Sequence, residues 1–166
     1  MALIVEDGTG KADAESYISV ADATAYHAAR GNAAWATLAS DTVREQLLRR
    51  ATEYMLESYR QRWQGYRISS TQALDWPRAG VCVDGYLIAI NTVPVEVQRA
   101  CAELALKAAT GDLAADIGQT ARRVKVGPIE KEYAPNASPV KRYRAVDLLL
   151  APFLSGSDMN IKVVRA

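Results

Sequence analysis

Few residues of this chain are of the kinds that make or break bonds, and none stands in a working arrangement. His27 is the only histidine. Asp22 lies five positions before it and Tyr26 beside it, but no Ser or Cys nucleophile stands in a recognisable setting. Without a triad or a metal constellation, His27 is expected to be a helix-surface or half-buried residue with no chemical role. Gly8-Thr9-Gly10-Lys11 echoes a phosphate-cradling loop. That loop requires four residues between its glycines and a Ser or Thr after the lysine. Here a single residue separates the glycines and Ala12 follows Lys11, so the match is a chance one. Glu53 and Glu57 stand at i, i+4 among arginines, which is the pattern of surface ion pairing. Cys82 and Cys101 are nineteen positions apart with no CxxC, so their spacing excludes a zinc site. Two buried free thiols are expected in preference to a disulfide. No Gly-x-Ser-x-Gly, His-Glu-x-x-His or dinucleotide fingerprint occurs. No catalytic, cofactor-binding or metal residue is assigned, and the chain reads as a protein without enzymatic activity.

Binding chemistry is the alternative. Between Gly118 and Val146 lie Arg122, Arg123, Lys125, Lys131, Lys141, Arg142 and Arg144, opposed by Glu130 and Glu132, with Tyr133 and Tyr143 interleaved. Basic residues with aromatic neighbours suit a single-strand groove with stacking platforms. The same features suit a channel through which DNA slides, a dock for an acidic partner, or a solvated charged hairpin.

The stretch from Gln72 to Val97 has no reactive chemistry and a strongly determined shape. In Asp75-Trp76-Pro77 the proline forces Trp76 out of the α region. Val81-Cys82-Val83 and Tyr86-Leu87-Ile88 flank Asp84-Gly85, the favoured pair for a tight hairpin turn. Pro94 sits where a helix accepts proline, in the first turn. Trp76, Pro77, Arg78, Asp84, Gly85 and Pro94 therefore form a structural turn unit. Trp76 is expected to pack against the second and third helices, and Arg78 to bridge to a carboxylate such as Asp75 or Glu103.

The elements that must hold these residues can be read from periodicity. Ser19 looks like an N-cap, with Val20, Ala23, Tyr26 and His27 at helical spacing until Gly31. Ser40 or Asp41 caps a second helix running to about Trp63, with Val43, Leu47, Ala51, Tyr54 and Ser58 along one stripe. Arg44, Arg49, Arg50, Arg60, Arg62 and Arg67 stud this region and read as a solvent face before an interface. Val97, Cys101, Leu104 and Ala108 make a third amphipathic helix ending near Gly111. Residues 120–133 alternate enough to be an extended hairpin, and Ser138-Pro139 open a last helix reaching Phe153. After a Gly-Ser break the tail is short and β-prone, a type that often pairs with another chain. The expected fold is mainly α: a small bundle of about four helices with an extended basic segment at 118–134, occupying 1–154, and a C-terminal arm at 155–166.

A length of 166 residues fits one domain, or one domain with an arm. Hydrophobic residues at 49% and charged residues at 23% are ordinary for a folded protein. A net charge of +1 provides no global field towards nucleic acid or an anionic membrane. No basic leader and no run of about 18 apolar residues is present, so a soluble protein made in the cytoplasm is expected, with no membrane partner.

Ser16-Tyr17-Ile18-Ser19-Val20-Ala21-Asp22-Ala23, the Arg30-Gly31 … Trp35 spacing and Leu74-Asp75-Trp76-Pro77-Arg78-Ala79-Gly80 … Asp84-Gly85 … Val93-Pro94 … Glu103-Leu104-Ala105 resemble a family of tailed-bacteriophage head–tail connector (adaptor, head-completion) proteins. Its members are often labelled DnaT-like single-stranded-DNA-binding proteins. The resemblance implies a structural virion protein at the capsid–tail neck. It would assemble with copies of itself as a twelve-fold ring between the portal protein and the stopper or tail-completion protein, around packaged double-stranded DNA. By that analogy Met159, Ile161, Lys162, Val163, Val164 and Arg165 form an inter-subunit or portal-binding arm, and the basic residues named above between 122 and 144 face the channel or the portal. The alternative is a single-stranded-DNA-binding protein of phage replication, for which a charge of +1 offers little electrostatic support.

Overall fold

A computed structural model of the chain describes residues 2–114 and 142–155 in full, and the backbone alone of 123–126 and 129–132. Helix α1 spans Val20–Ala28, α2 Ala33–Ala36, α3 Asp41–Tyr59, α4 Val95–Ala108 and α5 Arg144–Leu150, the last running into a 3-10 turn at Ala151–Phe153. Among the described residues, three antiparallel two-stranded ladders accompany them. They pair β1 (Tyr66–Arg67) with β2 (Arg78–Ala79), β3 (Cys82–Val83) with β4 (Tyr86–Leu87), and β5 (Arg123–Val126) with β6 (Ile129–Glu132). The fold is mainly α, as the periodicities predict. The arm residues Met159 to Arg165 lie outside the described residues.

The helix starts follow from their caps. The Ser19 hydroxyl accepts from the Asp22 amide at 3.0 Å and donates to the Asp22 carboxylate at 2.6 Å. Ser40 accepts from the Val43 amide at 3.3 Å and starts α3. The end of α3 comes earlier than the expected Trp63. After Tyr59 the backbone tightens, with the Arg62 amide on the Tyr59 carbonyl at 2.8 Å, and Trp63 leaves the helix to bridge Leu154. The turn sets Trp63 edge-on to Trp76 at 5.7 Å and in the bridge to Leu154, contacts with distant segments that periodicity along the helix does not show. Pro94 caps α4 rather than lying within its first turn.

The core forms where α3 meets α4 and α4 meets α5. Leu47, Leu48, Ala51 and Met55 of α3 pack with Val97, Ala100, Cys101, Leu104 and Ala105 of α4, and Val146 and Leu150 of α5 complete it. The alanines along α4 let its neighbours approach closely. Cys101 is fully buried, with its sulfur 3.4 Å from the Thr52 hydroxyl, and burial pushes its thiol pKa up. Cys82 is exposed, contrary to the expectation of two buried thiols. The ladder it belongs to is only two residues long, and the buried position beside it is taken by Val81.

His27 is fully buried, deeper than its sequence context suggests. Its Nε2–H donates to the Ala102 carbonyl at 3.1 Å, so Nδ1 must accept, and it does so from the Asn32 side-chain amide at 3.0 Å. Burial first of all holds the imidazole pKa below its ordinary value. With both nitrogens committed, His27 ties α1 to α4.

The Gly-Thr-Gly-Lys loop has a physical meaning that its motif mismatch conceals. Glu6 is 3% exposed, and its carboxylate accepts from the amides of Gly8 and Gly10 at 2.9 Å each and Lys11 at 2.8 Å. The loop is an anion-binding cradle, and the anion is the chain's own side chain. Gly8 has φ +100°, and a β-carbon there would collide with the Asn91 carbonyl. Glu6→Gln is expected to cost about 1.5–3 kcal/mol, because an amide has one acceptor oxygen and brings a donor against amide donors. The loss is read as a lower midpoint in urea unfolding.

Candidate nucleic-acid interface

The run Tyr59-Arg60-Gln61-Arg62-Trp63-Gln64-Gly65-Tyr66-Arg67 alternates aromatic rings with guanidinium groups. Flexible single strands are held by that combination, rings for the bases and cations for the phosphates. The early end of α3 divides the rings between two tasks. Tyr59 and Trp63 turn inward: Tyr59 is 2% exposed and its hydroxyl donates to the Asp147 carboxylate at 2.6 Å. Tyr66 turns outward and is 68% exposed.

A second exposed ring comes from the adjoining ladder. Asp84 at φ 53° and Gly85 at φ 87° make the expected tight turn, with both central residues in the left-handed region. The turn folds β4 back on β3 and leaves Tyr86 77% and Leu87 78% exposed. Gly80 and Val81 join this ladder to β1–β2, in which Tyr66 pairs with Ala79. Gly80 has no side chain to occupy the space beside the Tyr66 ring. Tyr66 and Tyr86 are the most exposed aromatic rings among the described residues.

Three arginines lie in the same stretch of chain. The side chain of Arg60 is 49% exposed, with Nε 3.9 Å from the Asp75 carboxylate. Arg62 lies over the Tyr59 ring at 5.6 Å, and Arg67 donates to the Gln72 carbonyl at 3.0 Å. Each therefore keeps donors for an anion while its stem is held.

Rigidity comes from beneath. Trp76 is fully buried and meets Trp63 edge-on at 5.7 Å and Phe153 edge-on at 5.6 Å; the Trp76–Pro77 peptide is cis. Its two aromatic partners come from the residues that follow α3 and α5. Arg78 is 7% exposed and forks onto three main-chain carbonyls: Gln64 at 2.7 Å, Gly65 at 2.8 Å and Asp75 at 3.1 Å. This corrects the expected bridge to the carboxylate of Asp75 or Glu103, since the carbonyls fill the fork first and Glu103 instead accepts from the Tyr26 hydroxyl at 3.0 Å. Burial lowers the Arg78 pKa, but a guanidinium stays ionised. Burial likewise raises the pKa of the Asp75 carboxyl, against the opposing pull of Arg60, Arg78 and Arg67. Gly65, at φ +63°, is required where the chain crosses β2, because a β-carbon would collide with the Ala79 carbonyl.

The basic segment singled out in the sequence is only partly visible. Arg142 and Arg144 are exposed at the start of α5. Tyr143 is no free platform: its hydroxyl donates to the Leu113 carbonyl at 3.2 Å and its ring meets Tyr54 edge-on at 5.5 Å. The β5–β6 register sets Arg123 opposite Glu132 and Lys125 opposite Glu130, so acidic positions stand across from basic ones; Lys131 stands opposite Val124. Arg122 and Lys141 lie outside the described residues. Tyr66 and Tyr86 were not singled out in the sequence. The signal for Tyr66 is the ring–arginine alternation at 59–67, which the helix read as running to about Trp63 absorbed.

The family model described as "Putative DnaT-like ssDNA binding protein" matches residues 1–166. No curated protein and no solved structure matches the chain. The match overturns the head–tail connector reading, together with its portal, stopper, ring and packaged-DNA partners. The motifs that carried the resemblance, Leu74 to Ala105 above all, build the turn unit and core. They specify a fold and carry no connector function.

Proposed function

The chain belongs to the family of putative DnaT-like ssDNA-binding proteins, and from that premise we propose that it binds single-stranded DNA, without catalysis, through Tyr66, Tyr86 and the arginines beside them. The observation that carries the reading is the family match across residues 1–166. The location is supported by two exposed rings on adjoining ladders, with Arg60, Arg62 and Arg67 in reach of phosphates along the same stretch. A net charge of +1 means that attraction is local, not global.

The reading has a quantitative consequence. If three guanidinium groups meet phosphates of a single strand, log K falls with log salt at a slope of about −2. Fluorescence anisotropy of a labelled oligothymidine, titrated between about 50 and 200 mM salt, measures it. A duplex of equal length is expected to bind more weakly, because its stacked bases are closed to the tyrosines. Absence of saturable binding to the single strand at the lowest salt overturns the proposal.

A further inference from the structure

Between α1 and α2 lies a pocket of about 220 Å³, lined by Thr24, His27, Ala28, Gly31, Asn32, Ala33, Trp35 and Ala36. Its walls are mostly methyl groups and ring surface, and its volume is below the ~300–1,000 Å³ of drug-sized sites. One flat ring system fits that size better than an extended ligand does.

Two polar atoms on its walls have capacity to spare. The Trp35 indole N–H donates to the Thr24 hydroxyl oxygen at 3.0 Å, so the Thr24 proton is left to donate elsewhere. Nε2 of His27 is used on Ala102, so Nδ1 is an acceptor and Asn32 must present its NH2 to it. That chain of roles fixes the Asn32 amide orientation and leaves its Oδ1 as an acceptor with no partner among the described residues. The pocket therefore offers an apolar slot, one donor and one acceptor. Arg30, next in sequence to Gly31, is exposed, with its guanidinium carbon over the Tyr26 ring at 3.7 Å from the centroid and one N–H donating to the Tyr26 carbonyl at 3.2 Å.

We propose that this pocket binds a single nucleobase, with Thr24 and Asn32 on its hydrogen-bonding edge and Arg30 on the attached phosphate. Every nucleobase carries a donor beside an acceptor, so the pair recognises a base edge without choosing strongly among bases. The choice of ligand rests on the proposed single-strand binding. The site itself is separate from the tyrosine platform and would hold a base unstacked from its neighbours.

Titration with deoxyadenosine 5′-monophosphate, followed by amide chemical shifts, tests it. Saturable shifts are expected at Thr24, Gly31, Asn32 and Ala33, with weaker binding for the nucleoside and none for inorganic phosphate alone. Ala33→Leu and Ala36→Leu fill the slot from exposed helix positions and are expected to abolish those shifts without lowering the melting temperature. Shifts unchanged by both folded variants, or confined to Arg30, overturn the pocket. Oligonucleotide binding with no mononucleotide response at the pocket overturns this inference and leaves the proposed function standing. A mononucleotide response lost on filling, in a protein that binds no oligonucleotide, supports the pocket and overturns the proposed function.

Discussion

Replacing Tyr66 and Tyr86 together by alanine is expected to weaken binding of an oligothymidine by about 2–6 kcal/mol, since one base stacked on an aromatic ring contributes ~1–3 kcal/mol. Each single variant should carry about half of that if the two rings hold different bases. Both rings are more than two-thirds exposed, so neither loss should move the unfolding midpoint appreciably. The salt slope should stay the same, because the phosphates are held by guanidinium groups that the substitutions leave in place. Anisotropy titrations of the two single variants and the double variant, at several salt concentrations, separate these effects. Unchanged affinity in the folded double variant would remove the platform from the interface.

The second large effect is on the fold. Arg78→Met is expected to destabilise the protein by about 3–5 kcal/mol, the range for removing one member of a buried charged constellation. Three carbonyls, of Gln64, Gly65 and Asp75, lose their donor at once. The buried Asp75 carboxylate also loses one of the charges that oppose its desolvation. Arg78→Lys should recover only part of the loss, because an ammonium group cannot reproduce the planar fork. Domains of this size are stable by only ~5–15 kcal/mol, so the Met variant loses a large fraction of the total. Urea unfolding followed by Trp fluorescence reports it directly, since Trp63 and Trp76 pack against each other beside the fork. A loss below about 1 kcal/mol would mean that water satisfies the carbonyls instead.

What could be read from sequence divides along local and long-range lines. Ser19 and Ser40 announce their helices because capping depends on residues three apart, and Asp84-Gly85 announces its turn for the same reason. The stripe of α4 was legible because it is buried along its length. The fate of Trp63 was not, since its edge-on contact with Trp76 and its bridge to Leu154 join it to residues distant in sequence. The same holds for Arg78: carboxylates can be seen in a sequence, but three converging carbonyls cannot. The reading of residues 59–67 followed from the misplaced helix end. With α3 extended to Trp63, the arginines at 60, 62 and 67 looked like a solvent face, and Tyr66 had no visible role. His27 and Asn32 were unreadable as a pair because their meaning depends on the Ala102 carbonyl across the core.

The hydrogen bond from Tyr143 to Leu113 ties the segment after α4 to the residue that caps α5, thirty positions further on. The same ring meets Tyr54 of α3 edge-on at 5.5 Å. One side chain thus seats the start of α5 against residues from both earlier helices. The 3-10 turn that continues α5 carries Phe153 against Trp76. Part of the support of the Trp76–Arg78 unit, and of the tyrosines above it, therefore runs back through Tyr143.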